Sequence, residues 1–192
     1  MADSTERGRF LRAADIPNLI CVVRMVLVGP IVMALIDGRY LLALGLILLA
    51  GISDGLDGFL AKRFSWQSRL GGLLDPLADK LLLVSVFVAL SMTGLVPVWL
   101  TVVVIVRDLV IVSGGVVYQW LVEPVQPEPS VASKINTGIQ LLYVLAVIGN
   151  RMAGLPPAEF LIIAGAGVFV TSTVSGLDYV VRWSGRALRS RG

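Results

Sequence analysis

Six long apolar stretches alternate with short polar or turn-forming segments along the chain. Each stretch approaches the ~20 residues that a helix needs to cross a bilayer. The expected helices run from Ile16 to Ile36, from Tyr40 to about Ala61, from about Leu73 to Met92, from Pro97 to Val122, from Val131 to Ile148 and from Glu159 to about Trp183. Asp37-Gly38, Gly94, the proline-rich stretch from Glu123 to Ser130, and Leu155-Pro156-Pro157 are the breaks, all of them turn-forming. Ahead of the first stretch lies a segment with Phe10 and Leu11 set among Arg7, Arg9 and Arg12, which predicts an amphipathic interfacial helix. It does not read as a signal peptide, because its apolar run begins only after Asp15 and no small-residue cleavage site follows a short core. The fold expected is an all-α integral membrane protein of six transmembrane helices, with an interfacial segment at 1–14, one helical domain at 15–185 and a basic tail at 186–192.

Composition agrees with the pattern. Of the 192 residues 56% are hydrophobic and 15% charged, well below the roughly 25% charged residues of soluble domains. There is no histidine, which excludes imidazole zinc sites, Ser-His triads and histidine proton shuttles. The one cysteine, Cys21, lies in an apolar run and excludes a disulfide framework or a thiolate metal site. The net charge of +3 does not point to nucleic acid, because the basic residues flank apolar spans. With the N-terminus inside, 12 Lys and Arg fall on inner flanks, and the outer loops carry 2, Arg39 and Arg151. The positive-inside rule is then met with both termini cytoplasmic, as expected for a bacterial-type inner membrane.

This topology puts four aspartates at the cytoplasmic end of the second and third helices: Asp54, Asp57, Asp75 and Asp79. A carboxylate in a membrane helix is costly unless it faces a cavity, a partner or a metal. Spacings of three and four residues set each pair on one helical face, and the short connection from Phe64 to Leu70 brings the pairs together. Unpaired, such carboxylates repel one another. Two divalent cations relieve that repulsion and also bind phosphate oxygens, the arrangement used in two-metal phosphorus chemistry. Oxygen donors alone favour magnesium, calcium or manganese, with magnesium or manganese expected to support turnover. Gly55 and Gly58 stand on either side of Asp57, and Gly71-Gly72 precede Asp75. Small residues of this kind serve either close helix packing or a flat floor for a nucleotide.

The string Asp54-x2-Asp57-Gly58-x2-Ala61-Lys62-x8-Gly71-x3-Asp75-x3-Asp79 resembles the signature D-x2-D-G-x2-A-R-x8-G-x3-D-x3-D of the CDP-alcohol phosphatidyltransferases. Every spacing agrees. Lys62 replaces the family arginine, with Arg63 directly after it; the charge is kept and the bidentate geometry is not, so either Lys62 binds phosphate as a point charge or Arg63 compensates from a different face. The resemblance implies that Asp54, Asp57, Asp75 and Asp79 hold the two cations on the diphosphate of CDP-diacylglycerol. It implies that Gly58, Ala61, Lys62 and Gly71 line the CDP pocket, that Asp79 is the general base for the acceptor hydroxyl, and that the protein is a homodimer. Pro17-Asn18-Leu19 and Arg24 are similar to the family's opening segment, with Asn18 capping the first helix or touching the nucleotide.

Arg107-Asp108 and Lys134 also lie within or at the start of apolar stretches. Arg107 there needs an anion: Asp108, Asp178 or, with Lys134, a phosphate on the acceptor. The phosphate reading favours phosphatidylglycerol or glycerol 3-phosphate over inositol or serine. LDPLADK, VRDLVIVSG and SKINTGIQ resemble the cardiolipin synthase branch of the family, which uses phosphatidylglycerol; the phosphatidylglycerophosphate synthases tend to carry Arg-Glu at the place of Arg107-Asp108. A small cation transporter or channel would carry acids at several depths on several helices, and a silent scaffold would not keep the motif's spacing.

Overall fold

The second half of the chain is unusually rich in β-branched residues for a helical protein, as in Val102-Val103-Val104-Ile105-Val106. In water these residues disfavour helix slightly. In a bilayer the backbone must bond to itself, and the helix wins. The computed structural model describes residues 16–64, 71–121 and 131–189, with side chains described over 20–55, 77–114 and 131–181. Six helices form: α1 (Ile16–Ile36), α2 (Tyr40–Phe64), α3 (Gly71–Met92), α4 (Val98–Leu121), α5 (Val131–Ala153) and α6 (Ala158–Arg189), with no strand among the described residues.

Two of the expected breaks are helix stops of one design. Gly38 (φ 72°) follows α1, its N–H bonding to the Leu35 carbonyl at 3.2 Å while the Arg39 N–H reaches back to Ala34 at 2.8 Å. Gly94 (φ 73°) ends α3 in the same way, with Gly94 on Ser91 at 3.0 Å and Leu95 on Leu90 at 2.9 Å. Both are left-handed caps that satisfy the last carbonyls of a helix, which is why glycine stands there. The last two helices run beyond their expected ends, α5 past Ile148 to Ala153 and α6 past Trp183 to Arg189. Apolar residues mark where lipid ends; the hydrogen-bond ladder continues through polar residues such as Asn150 and Arg151. The interfacial segment 1–14 lies outside the described residues.

α1 packs on α2 and α3, while α6 packs on α4 and α5. The two groups meet where α3 touches α4 and where α5 touches α2 and α3. Ile31, Leu35, Phe87, Leu90, Leu100, Val104, Val147 and Ile148 form the shared core. Phe87 and Tyr143 stack across the junction with ring centroids 6.1 Å apart and planes at 28°. Gly165 on α6 faces that tyrosine: a Cβ there would sit 3.5 Å from the ring, so a small residue lets α5 and α6 close up.

The outer surface is apolar. Val26, Leu41, Val98, Ile162, Ile163 and Val181 are each about two-thirds exposed or more. That density of exposed aliphatic residues suits lipid and does not suit water. Among the described residues, α5 over Val131–Ala153 and α6 over Ala158–Val181 are long and apolar enough to cross a membrane by themselves, whereas the described apolar parts of α1 (Ile20–Ile36) and α2 (Tyr40–Gly55) are shorter.

Candidate active site

Arg24 is the centre of the polar end of the first group. It stands on α1 within an apolar run and is only 1% exposed. Its Nη2 lies 2.8 Å from Asp54 Oδ1 on α2, and its Nη1 donates to Asp79 Oδ1 on α3 at 2.5 Å. One guanidinium thus ties three helices together by two carboxylates. Those carboxylates are 44% and 46% exposed. Both contacts use the Oδ1 atoms of the two acids. A planar fork with donors on both ends is suited to this bridging, which an ammonium would not reproduce.

Of the four motif aspartates, then, the structure brings Asp54 and Asp79 together across α2 and α3. Asp57 lies on α2 and Asp75 on α3, where the helical backbone keeps their three- and four-residue spacings from Asp54 and Asp79; their side chains lie outside the described residues. The same holds for the side chains of Asn18, Gly58, Ala61, Lys62 and Gly71. No group of three or more acidic side chains gathers among the described residues. The donor set fits a hard divalent cation: it is oxygen only, half-exposed, and already held in place from behind.

The second group has a different polar interior. Arg107 on α4 is 4% exposed; its Nη1 donates to Asp108 Oδ1 at 2.6 Å, and its Nη2 donates to Ser133 Oγ at 2.8 Å and Ser175 Oγ at 2.6 Å. Of the anions expected for Arg107, Asp108 is in contact. Lys80 Nζ on α3 donates to the same Asp108 oxygen at 2.9 Å. Successive residues of α3 therefore serve different helices: Asp79 meets α1, and Lys80 meets α4. Lys134, expected beside Arg107, is exposed on α5.

Further along α5 the seam continues. Asn136 Oδ1 accepts from Thr171 Oγ1 at 2.8 Å and from Ser172 Oγ at 3.0 Å, and Gln140 Nε2 donates to Ser172 at 3.2 Å. Sequence reasoning did not single out Ser133, Ser175, Asn136, Gln140 or Ser172 individually. The available signal was periodic: Ser133, Asn136 and Gln140 recur three and four apart on α5, and Ser172 and Ser175 three apart on α6. Arg24 was legible only as part of the opening segment. Its partners were open to the argument applied to Arg107, that an arginine in a span needs an anion within reach.

Comparison with known proteins agrees with the motif. The family model for CDP-alcohol phosphatidyltransferase matches residues 14–175. A probable cardiolipin synthase (CMP-forming) of Drosophila melanogaster is 37% identical over 150 residues, 70% of this chain and 47% of that protein. The cardiolipin synthase (CMP-forming) of Homo sapiens is 32% identical over 180 residues, 85% of this chain and 60% of that protein. A probable phosphatidylglycerophosphate synthase of Mycobacterium tuberculosis is 31% identical over 195 residues, 94% of this chain and 85% of that protein. The chain spans about half to three-fifths of the length of the two cardiolipin synthases.

Proposed function

The chain belongs to the CDP-alcohol phosphatidyltransferase family, and from that premise we propose that it transfers the phosphatidyl group of CDP-diacylglycerol to a hydroxyl of phosphatidylglycerol, giving cardiolipin and CMP. The observation that carries this reading is the pair of half-exposed carboxylates, Asp54 and Asp79, held across α2 and α3 by one buried arginine.

Asp54, Asp57, Asp75 and Asp79 hold two divalent cations, Mg2+ or Mn2+. When bound, these neutralise the diphosphate and stabilise the departing phosphate oxygen. Gly58, Ala61, Lys62, Gly71 and Asn18 bind the CDP portion, with Lys62 acting as a point charge on phosphate. Asp79 accepts the proton of the acceptor hydroxyl on its half-exposed carboxylate. The acceptor oxygen forms a bond to the lipid-side phosphorus, the anhydride bond breaks, and its electron pair leaves on CMP. Lys134, exposed at the start of α5, attracts the acceptor phosphate, and Arg107, closed off by Asp108, Ser133 and Ser175, adds its charge from behind. The active site faces the cytoplasm, where the basic flanks lie, and the protein works as a homodimer.

Glycerol 3-phosphate is the second acceptor to consider, because the mycobacterial relative, covered over 85% of its length, is named a probable phosphatidylglycerophosphate synthase. The deciding experiment supplies purified protein with CDP-diacylglycerol, Mg2+ or Mn2+, and in turn phosphatidylglycerol, glycerol 3-phosphate, inositol phosphate and serine. Metal-dependent CMP release with phosphatidylglycerol, and a product of cardiolipin mass, is the expected result. Release with glycerol 3-phosphate alone reassigns the acceptor, and no release with any of them refutes the transferase reading.

A further inference from the structure

Arg24 has the properties of a positioning residue for the carboxylate cluster. It is the largest fully buried side chain of the described residues, and it pairs with Oδ1 atoms of motif aspartates on two different helices. Two opposed effects follow from a buried cation at that place. As a nearby positive charge it weakens the attraction of the carboxylates for any divalent cation. As a fork that fixes two half-exposed acids it removes the rotational freedom they would otherwise lose on binding, and it orients the two carboxylates. Asp54 and Asp79 are 44% and 46% exposed, so water on their open side raises the local dielectric and weakens the charge term. Orientation is not screened. We propose that orientation dominates: Arg24 sets Asp54 and Asp79 for divalent-cation binding from behind, and the site binds its metal more tightly because of an arginine that repels it.

This inference rests on the metal reading of the four aspartates, and the test separates the two. Mn2+ binding to the purified, detergent-solubilised protein is followed by the loss of the free-ion paramagnetic resonance signal, with no substrate present. Arg24→Gln is expected to weaken Mn2+ binding about 10- to 100-fold, the usual effect of removing a group that orients a metal ligand. Arg24→Lys keeps the charge but cannot fork between two acids, and it is expected to remain about 10-fold weaker than the parent. A counter-ion role predicts the reverse: Arg24→Gln binds equally or more tightly and Arg24→Lys equals the parent, and either result overturns the proposal. Should Arg24→Gln fail to fold, Arg24→Lys decides alone, since only orientation separates it from arginine. A parent protein that binds no Mn2+ refutes the metal reading itself, an outcome distinct from unaltered binding in the variants.

Discussion

The two helix groups place arginine in apolar surroundings in opposite ways. In α1–α3, one buried arginine is shared by two carboxylates that remain nearly half exposed. In α4–α6, Arg107 meets a carboxylate that is only 10% exposed, and two serine hydroxyls complete its shell. The first arrangement holds anions at a surface where a ligand can reach them. The second closes a charge inside the protein. Lys80 and Asp79, neighbours on α3, join the two through one helix. The contrast assigns chemistry to the first group and chiefly framing to the second.

Asp79→Asn is the largest test of that contrast. The change preserves shape and a hydrogen-bond acceptor for Arg24 while removing the proposed base, so turnover is expected to fall by about 10²- to 10⁴-fold. Binding of CDP-diacylglycerol, measured by equilibrium binding, should survive in large part. Unchanged turnover would take Asp79 out of the base role and leave the first group only a binding function.

Asp108→Asn comes next, and its readout is stability. The substitution leaves buried Arg107 and the adjoining Lys80 without their shared anion. Removing one partner of a buried pair costs about 3–5 kcal/mol. Thermal unfolding in detergent should therefore show a large drop for Asp108→Asn and a much smaller one for Asp54→Asn, whose half-exposed side chain leaves Arg24 with Asp79. The opposite order would dissolve the distinction between the groups.

How much of this was readable beforehand differs in the same way. The helices were legible as apolar runs, and the aspartates as a spaced string, because both signals repeat along one segment. The partnership of Arg24 with Asp54 and Asp79 was not, since the contacts reach across 30 and 55 positions and a single arginine carries no spacing. The α5–α6 seam was hidden for another reason. Serine, threonine, asparagine and glutamine on a helix are equally at home facing water, a neighbour's backbone or another side chain. Only the packing of the two helices decides that Asn136 and Ser172 face inward.

Lys134→Ala bears on the acceptor. Lys134 is exposed on α5, next to Ser133 in the Arg107 shell. An exposed lysine attracts a phosphate as a point charge, so its loss should raise KM for the acceptor by about 10-fold and leave kcat nearly unchanged. The effect should shrink with added salt, since the charge is screened. A fall in kcat with constant KM would instead give the second group a part in the chemical step.

Ser172→Ala predicts the smallest effect and tests the framing role most directly. Ser172 Oγ receives from Gln140 and donates to Asn136, and all three side chains are buried. In water-soluble cores, deleting such a link leaves unsatisfied groups and costs about 1–3 kcal/mol. Between membrane helices the average is nearer 0.6 kcal/mol, because polar groups find other partners in the unfolded state as well. Here Asn136 loses the bond from Ser172 but keeps the one from Thr171 at 2.8 Å, while Gln140 loses the bond it donates to Ser172. A loss of about 1 kcal/mol in thermal unfolding, with turnover and Mn2+ affinity unaltered, is the expected result. If turnover fell as well, the seam between α5 and α6 would be transmitting its geometry to Arg107 through Ser175, one turn further along α6, and the second group would take part in turnover as well as framing it.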